Sequence, residues 1–332
     1  MAIRIGFLTP SGANLPSVRF RVLPFVDLGR QQGLDFFWKR IPKSMVRRYP
    51  FFSRLPWADV YVVQQKLFST LELSALRRKC GKLVFDFDDA VWTLPAHDLQ
   101  GMKQRRRAAK FADRFGRQCA SSDLCIAGNR FLADKALEYQ KNVSILPTGL
   151  DTDKYVCGSG GNEGDAVLVG WMGTSGNLPY LDEPMEALTP HVGPIQFSVV
   201  SNARYEGVGK DVTFWSAWSP ELEVRQLQAM HIGLMPLHDT EYTRGKCGFK
   251  ILQYMACGVV PVASDVGANA EIIEHGMDGF LVRKPEEWAE YVLRLAHDPD
   301  LREKMAQAAR RKVVAEFDIK ALADRLWRVL GV

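Results

Sequence analysis

The chain has 332 residues, 47% of them apolar and 24% charged, with a formal net charge of +5. At about 100–200 residues per domain this is material for two domains with real cores, and the composition excludes a wholly disordered chain. No apolar run approaches the roughly 20 residues of a membrane-spanning helix, and six cysteines without paired metal-ligand spacing exclude a zinc ribbon or a disulfide framework. The opening residues read as a first buried strand rather than a secretory signal, which with the cysteine usage points to a reducing cytoplasm.

Taken in chain order, β-rich apolar runs fall at 3–8, 60–65, 83–87, 124–128 and 143–147. A second series falls at 166–172, 195–200, 212–218, 232–237, 259–264 and 279–282, and helical patterns lie between many of these runs. Unbroken apolar strands alternating with helices predict parallel sheets covered on both faces. The Gly, Ser, Asn and Asp of residues 157–165 cannot build a core and predict a linker. This divides the chain into a Rossmann-like domain over 1–156, the linker, a second Rossmann-like domain over 166–310, and a C-terminal helix over 311–332. That helix packs either on its own domain or back across the first.

The two halves open alike, one with a strand and Thr9-Pro10-Ser11-Gly12, the other with a strand and Gly173-Thr174-Ser175-Gly176. Doubly wound sheets bind ligands at the carboxyl ends of their strands. The expected architecture is therefore α/β, two doubly wound domains facing an interdomain cleft.

The most informative segment runs from Arg244 to Ser264. A glycine-bearing loop carries Arg244, Lys246 and Lys250 into an apolar helix that starts near Gly248-Phe249 and stops near Gly258. Backbone N–H groups at a helix start, with cations beside them, form an anion site suited to a diphosphate. Gln253 is polar in an otherwise apolar helix, and its amide can bond a ribose hydroxyl. The plainer reading is a core helix preceded by solvated basic residues.

With its continuation through Asp265–Glu271 and Gly276–Val282, this segment resembles the donor-binding region of family 4 glycosyltransferases, of the group 1 bacterial type. Pro147-Thr-Gly-Leu-Asp151, Phe85-Asp-Phe-Asp-Asp89 and Ser17-Val-Arg19-Phe-Arg21 are also similar to that family. The resemblance implies the GT-B fold, a nucleoside diphosphate sugar as donor, no cofactor or metal, and transfer with retention. Two glutamates common in the family stand at the positions of Gly245 and Gln253. Gly245 cannot grip a sugar, which leaves Glu241 or Asp239 nearby as substitutes. The family's basic pair after the first strand of this domain is also missing, so Gly173 and Thr174 would supply backbone or hydroxyl donors.

In the first half, Asp86, Asp88 and Asp89 close an apolar strand, where carboxylates would face the expected cleft. Asp86-Phe-Asp88 also spells the DxD of a different, metal-dependent glycosyltransferase fold. The preferred role is that Asp88 or Asp89 orients or deprotonates an acceptor hydroxyl; the bland one is a turn carboxylate. His97 is a loop histidine of low diagnostic value. Gly12 would let the chain approach the donor closely, and Arg19 and Arg21 would meet phosphate or acceptor, or else lie solvated on the surface.

Residues 38–57 contain no acidic residue and mix six cations with Trp38, Tyr49, Phe51, Phe52 and Trp57. That mix suits peripheral contact with an anionic membrane beside a lipid-linked acceptor. A second basic run, from Lys103 to Arg117, fits a solvated helix face equally well. No nucleic-acid motif accompanies either, so no nucleic-acid partner is expected.

The expected protein is a hexosyltransferase acting in bacterial cell-surface polysaccharide synthesis, cytoplasmic and peripheral at the inner face of the membrane. Its partners would be a nucleotide sugar and a saccharide or lipid-linked acceptor. The catalytic candidates are Asp88, Asp89, Lys250 and Arg244. The donor-binding candidates are Gly12, Arg19, Gly173, Thr174, Glu241, Lys246, Gly248, Phe249 and Gln253. The alternative is a sugar-nucleotide or saccharide binder without turnover.

Overall fold

A computed structural model describes residues 3–158 and 166–332; most of the expected linker, 159–165, lies outside the described residues. The first elements are β1 (Arg4–Thr9), α1 (Pro16–Arg21), α2 (Leu23–Gln31), β2 (Asp35–Arg40), α3 (Met45–Ser53), β3 (Ala58–Gln64) and α4 (Thr70–Arg77). They continue with β4 (Cys80–Phe87), α5 (Gly101–Ser121), β5 (Leu124–Ala127), α6 (Arg130–Leu137) and β6 (Val143–Ile145). Next come β7 (Val167–Gly173), α7 (Asp182–Leu188), β8 (Ile195–Ser201), β9 (Thr213–Ala217), α8 (Glu223–Gln228) and β10 (Ile232–Met235). The chain closes with α9 (Glu241–Arg244), α10 (Phe249–Ala256), β11 (Val260–Ser264), α11 (Ala268–Ile272), β12 (Phe280–Val282), α12 (Glu286–His297), α13 (Pro299–Glu316) and α14 (Ile319–Leu330).

The chain divides into two compact units. The first takes in the chain up to Gly149, Thr240–Cys247 and Ile319–Val332; the second takes in Leu150–Asp239 and Gly248–Asp318. Each holds one six-stranded sheet, ordered β2-β1-β3-β4-β5-β6 in the first and β12-β11-β10-β7-β8-β9 in the second. The strand pairs run parallel. Central strands such as Val60–Gln64 and Leu83–Phe87 are buried along their length, as sheets covered on both faces require.

One strand escaped the apolar-run reading. Asp35–Arg40 is an edge strand, and its half-exposed residues end in Lys39 and Arg40, so it shows neither an apolar run nor a clean alternation. The other strands follow the expected runs to within a few residues.

Local signals place the helices. Ser69 and Glu72 form a reciprocal capping box at the start of α4. The Asn129 side chain accepts from Leu132 N at 2.8 Å and starts α6. Helix α14 buries Leu322, Ala323, Leu326, Trp327 and Leu330 in the core of the first unit beside Phe25 and Phe36. Trp327 meets Phe36 edge-on at 5.0 Å and donates to Gln32 Oε1 at 2.8 Å. A Trp327→Ala change would cost about 3–5 kcal/mol. In the second unit, the Arg310 guanidinium on α13 takes the carbonyls of Tyr155, Ala256 (2.7 Å) and Thr152 (2.8 Å), tying α13 to the end of α10.

Candidate active site

Strands β3 and β4 lie side by side with Gln64 opposite Asp86, so the residues just past their ends share one edge of the first sheet. Asp86 is buried. Arg21 Nε reaches both its carboxylate oxygens, at 3.0 and 2.9 Å, and Nη2 reaches Oδ1 at 2.7 Å. This corrects the expectation for Arg21. It is 2% exposed and neutralises a carboxylate, because a buried charge must be paired. Burial raises the Asp86 pKa although Arg21 opposes it.

Asp88 and Asp89 follow the strand and are half-buried. Gln65 Nε2 donates to Asp88 Oδ1 at 2.6 Å and to Asp89 Oδ2 at 3.2 Å, and Gln64 Nε2 stands 3.4 Å from Asp88 Oδ1. Desolvation pushes Asp88 up to about 7; Arg21 and the Gln65 amide pull it down, while Asp89 and Asp86 add to the rise. A carboxyl so placed exchanges its proton near neutral pH, as a general base must.

The segment Thr240–Cys247, which carries α9, belongs to the same unit. Trp92 Nε1 donates to Glu241 Oε1 at 2.7 Å. Asn129 Nδ2 donates to the carbonyls of Arg244 (3.0 Å) and Lys246 (3.1 Å). The buried Cys247 thiol lies 3.2 Å from the Asp88 carbonyl, and burial, then Asp88, hold its pKa well above the usual thiol value. Gly245 packs so closely that a Cβ there would stand 2.7 Å from Ala90 N. Lys246 Nζ sits 5.0 Å over the Tyr242 ring. The exposed Arg244 and Glu241 line a concavity of 290 Å³ with Phe131, Asp134, Lys135 and Glu138.

In the second unit, Gly173 ends β7 and Lys250 stands in the first turn of α10. A Cβ on Gly173 would lie 2.5 Å from the Trp171 ring and 2.8 Å from Lys250 Cε. Glycine is thus what lets the Lys250 ammonium lie over Trp171, 5.3 Å from the ring centre. Thr174 is exposed and its hydroxyl accepts from Asn177 Nδ2 at 3.0 Å. Gly248, at φ +61°, turns the chain into α10, with Phe249 half-buried next to it. Gln253 is buried and donates to Glu223 Oε1 at 2.8 Å; Glu223 also accepts from Trp218 Nε1 at 3.0 Å and from the Tyr155 hydroxyl.

Asp88, Asp89, Glu241, Arg244, Lys246, Gly12 and Arg19 therefore fall in the first unit. Gly173, Thr174, Gly248, Phe249, Lys250 and Gln253 fall in the second. Arg19 stacks over Phe20 at 4.5 Å. A Cβ on Gly12 would only touch Arg40, at 3.5 Å. His97 lies in a short turn at Ala96–Asp98, and its side chain lies outside the described residues.

Gln64, Gln65, Trp92 and Asn129 were missed. The adjacent Gln64-Gln65 pair at the end of a strand was a usable signal, once that strand is known to neighbour the one ending in Asp86.

Residues 169–298 match the model of a family described as "Glycosyl transferases group 1". Over 91 residues, 26% of this chain, the sequence is 39% identical to an alpha-D-kanosaminyltransferase from Streptomyces kanamyceticus. That match covers 23% of the enzyme's length. A sucrose synthase from Arabidopsis thaliana is 31% identical over 91 residues, again 26% of this chain but 11% of that protein. The matches thus span less than a quarter of either relative. Among solved structures, Anabaena Alr3699/HepE in complex with UDP and glucose is similar at TM-score 0.70, 15% identity and 99% coverage of both chains. Sucrose-phosphate synthase from Thermosynechococcus elongatus is similar at TM-score 0.78, 12% identity and 98% coverage of both. The two parallel six-stranded sheets with their flanking helices are the fold of the GT-B glycosyltransferase structures, and residues 169–298 are similar to the group 1 glycosyltransferase family.

Proposed function

We propose that the protein transfers a hexose from a nucleoside diphosphate sugar to a hydroxyl of a saccharide or lipid-linked acceptor, with retention, in cell-surface polysaccharide synthesis. The observation that carries the donor half is the meeting of Gly173, Trp171 and Lys250 at the end of β7, inside the family-matched segment. Carboxyl ends of strands are where such sheets bind ligands. An ammonium beside a glycine, at the start of a helix, suits a diphosphate. The complexes of Alr3699/HepE with UDP and with UDP-glucose support a nucleotide-sugar donor.

In this reading the bond from the sugar's anomeric carbon to the diphosphate breaks, and a bond to the acceptor oxygen forms. Lys250 offsets the charge that develops on the leaving diphosphate. Asp88 or Asp89 orients the acceptor hydroxyl or takes its proton, and a pKa near neutrality suits that task. No metal is proposed. The second unit would hold the donor and the first the acceptor. Thermal unfolding with UDP, GDP, ADP and TDP, each with and without Mg²⁺, tests the donor site. A ligand at 100 times its Kd adds about 2.7 kcal/mol. A metal-independent shift by one diphosphate supports the reading, and no shift by any sinks it.

The 38–57 region supports a peripheral membrane role. Lys39, Arg47 and Arg54 line a concavity of 410 Å³ with Pro42, Pro50, Phe51 and Leu55. Met45, Val46, Tyr49 and Trp57, from the same stretch of chain, are exposed. No helix among the described residues is long and apolar enough to cross a membrane.

A second reading, donor binding without turnover, is favoured by Gly245, where contact with Ala90 leaves no room for a side chain that would grip the sugar. Release of UDP from UDP-glucose, with a panel of acceptors, separates the two.

A further inference from the structure

Among the described residues, only Gln65 combines a side chain with a positive φ, +54°. For a residue with a Cβ the left-handed region costs about 1–2 kcal/mol, and such strain persists where surrounding bonds fix it. Here the Gln65 backbone N–H donates to the Asp86 carbonyl at 2.7 Å, locking the turn to the neighbouring strand. The turn aims the side-chain amide at the two carboxylates beyond that strand, 2.6 Å from Asp88 Oδ1 and 3.2 Å from Asp89 Oδ2. An extended residue would carry its side chain to one face of the sheet, away from a pair lying past the strand end.

We propose that Gln65 is a positioning residue: its strained backbone sets one amide as donor to both Asp88 and Asp89, fixing their orientation and holding the pair ready to serve an acceptor hydroxyl.

The proposal rests on the reading of Asp88 and Asp89 as the acceptor's carboxylates. The charged and titratable groups around Asp88 are Arg21 from α1, Asp86 from β4, Asp89 beside it, and Cys247 from the 240–247 segment. Arg21 is committed to Asp86 by three hydrogen bonds. Gln65 is a neutral donor that touches both carboxylates, beside Gln64, which stands 3.4 Å from Asp88 Oδ1, and such hydrogen bonds favour the ionised forms.

The test is a carboxyl titration of the full chain, with ¹³C-labelled aspartate followed by NMR and the two signals assigned with Asp88→Asn and Asp89→Asn. It needs neither donor nor acceptor, so its failure would leave the transferase reading standing, and an absence of transfer would leave this result intact. Gln65→Gly removes the amide and relieves the strain. Its thermal midpoint should stay level or rise, while Asp88 titrates at higher pH by about half a unit or more. Gln65→Ala removes the amide and keeps the strain, so the same titration shift should come with a lower midpoint. An Asp88 titration unchanged in Gln65→Gly overturns the proposal. A fall in midpoint with unchanged titration overturns it too, leaving Gln65 as a turn residue alone.

Discussion

Arg21 holds Asp86 in a bidentate ion pair whose side chains are 1% and 7% exposed, while Arg21 Nη1 also donates to the Leu146 carbonyl at 2.8 Å. The pair stitches α1 to β4 and to the chain leaving β6. Removing one partner strands the other as a buried charge, which costs about 3–5 kcal/mol. Arg21→Met or Asp86→Leu alone should therefore lower the thermal midpoint by about 10 °C, at a few degrees per kcal/mol. The double variant should recover much of the loss. Calorimetry of the three proteins checks this, and equal midpoints for the single variants and the wild type would contradict it.

Asp88 gives a pH signature whose sign follows from its raised pKa. In the unfolded chain it titrates near 3.9, and in the folded chain near 7. Between those values the folded state holds a proton that the unfolded state has lost. Stability is therefore fully present at low pH, falls as pH rises through about 7, and levels off above it. Measured against Asp88→Asn, which cannot ionise, the wild-type midpoint should decline across that window and then run parallel. A constant difference from pH 4 to 8 would show that Asp88 titrates as an ordinary carboxyl.

Donor binding should discriminate between cations that look alike in composition. Lys250→Ala should weaken UDP binding by about tenfold or more, as loss of a charge-assisted contact does. Arg106→Ala should not, since Arg106 lies exposed on α5 and is assigned no part in the site. Calorimetric titration with UDP reads both. Equal affinities would remove Lys250 from the donor site. Gln253→Ala belongs in the same series, because its amide nitrogen binds Glu223. A loss of stability with unchanged UDP affinity would make it a structural residue.

The fold was legible in the sequence where burial is complete. Apolar runs such as Leu83–Phe87 and Val167–Met172 are buried between layers and mark their strands without ambiguity. Asp35–Arg40 was not legible, because an edge strand need not be apolar. The site was legible as residue types near strand ends and helix starts. Its bonding was not, since local pattern carries no information about which strands become neighbours. Arg21 and Asp86 are 65 residues apart, and only the sheet order makes them partners. Gln65 shows the same limit, because its role depends on the strand beside it.

Gly245 gives a prediction about an absent side chain. The glycine lies against Ala90, and a Cβ would come within 2.7 Å of that residue's backbone nitrogen and Cβ. Backbone cannot yield as a flexible side chain can, so Gly245→Glu should force the 240–247 segment off Ala90. The overpacking would cost about 1–3 kcal/mol. It would also disturb the Asn129 bonds to Arg244 and Lys246. The expected variant is less stable, with no gain in turnover of UDP-glucose. A Gly245→Glu protein that is as stable as wild type and faster would mean that the segment moves freely and that a carboxylate there can reach the sugar.

The basic concavity makes the membrane proposal measurable. The exposed Met45, Val46 and Tyr49 on α3 supply apolar area, and Lys39, Arg47 and Arg54 supply charge. Near an anionic surface each cation contributes about 1 kcal/mol, so Arg47→Glu with Arg54→Glu should reduce vesicle binding by more than tenfold. Arg48 is the internal control. It is buried, and its guanidinium donates to Glu72 at 2.9 Å and to the carbonyls of Pro42 (2.9 Å) and Lys43 (2.7 Å). Arg48→Met should therefore lower stability while leaving the charge at the surface in place. Co-sedimentation with vesicles of phosphatidylglycerol, compared with phosphatidylcholine, reads the effect. Binding that prefers the anionic lipid, weakens with salt and is lost in the double glutamate variant supports membrane contact. Equal binding to both lipids by every variant would assign the patch to some partner other than a charged bilayer.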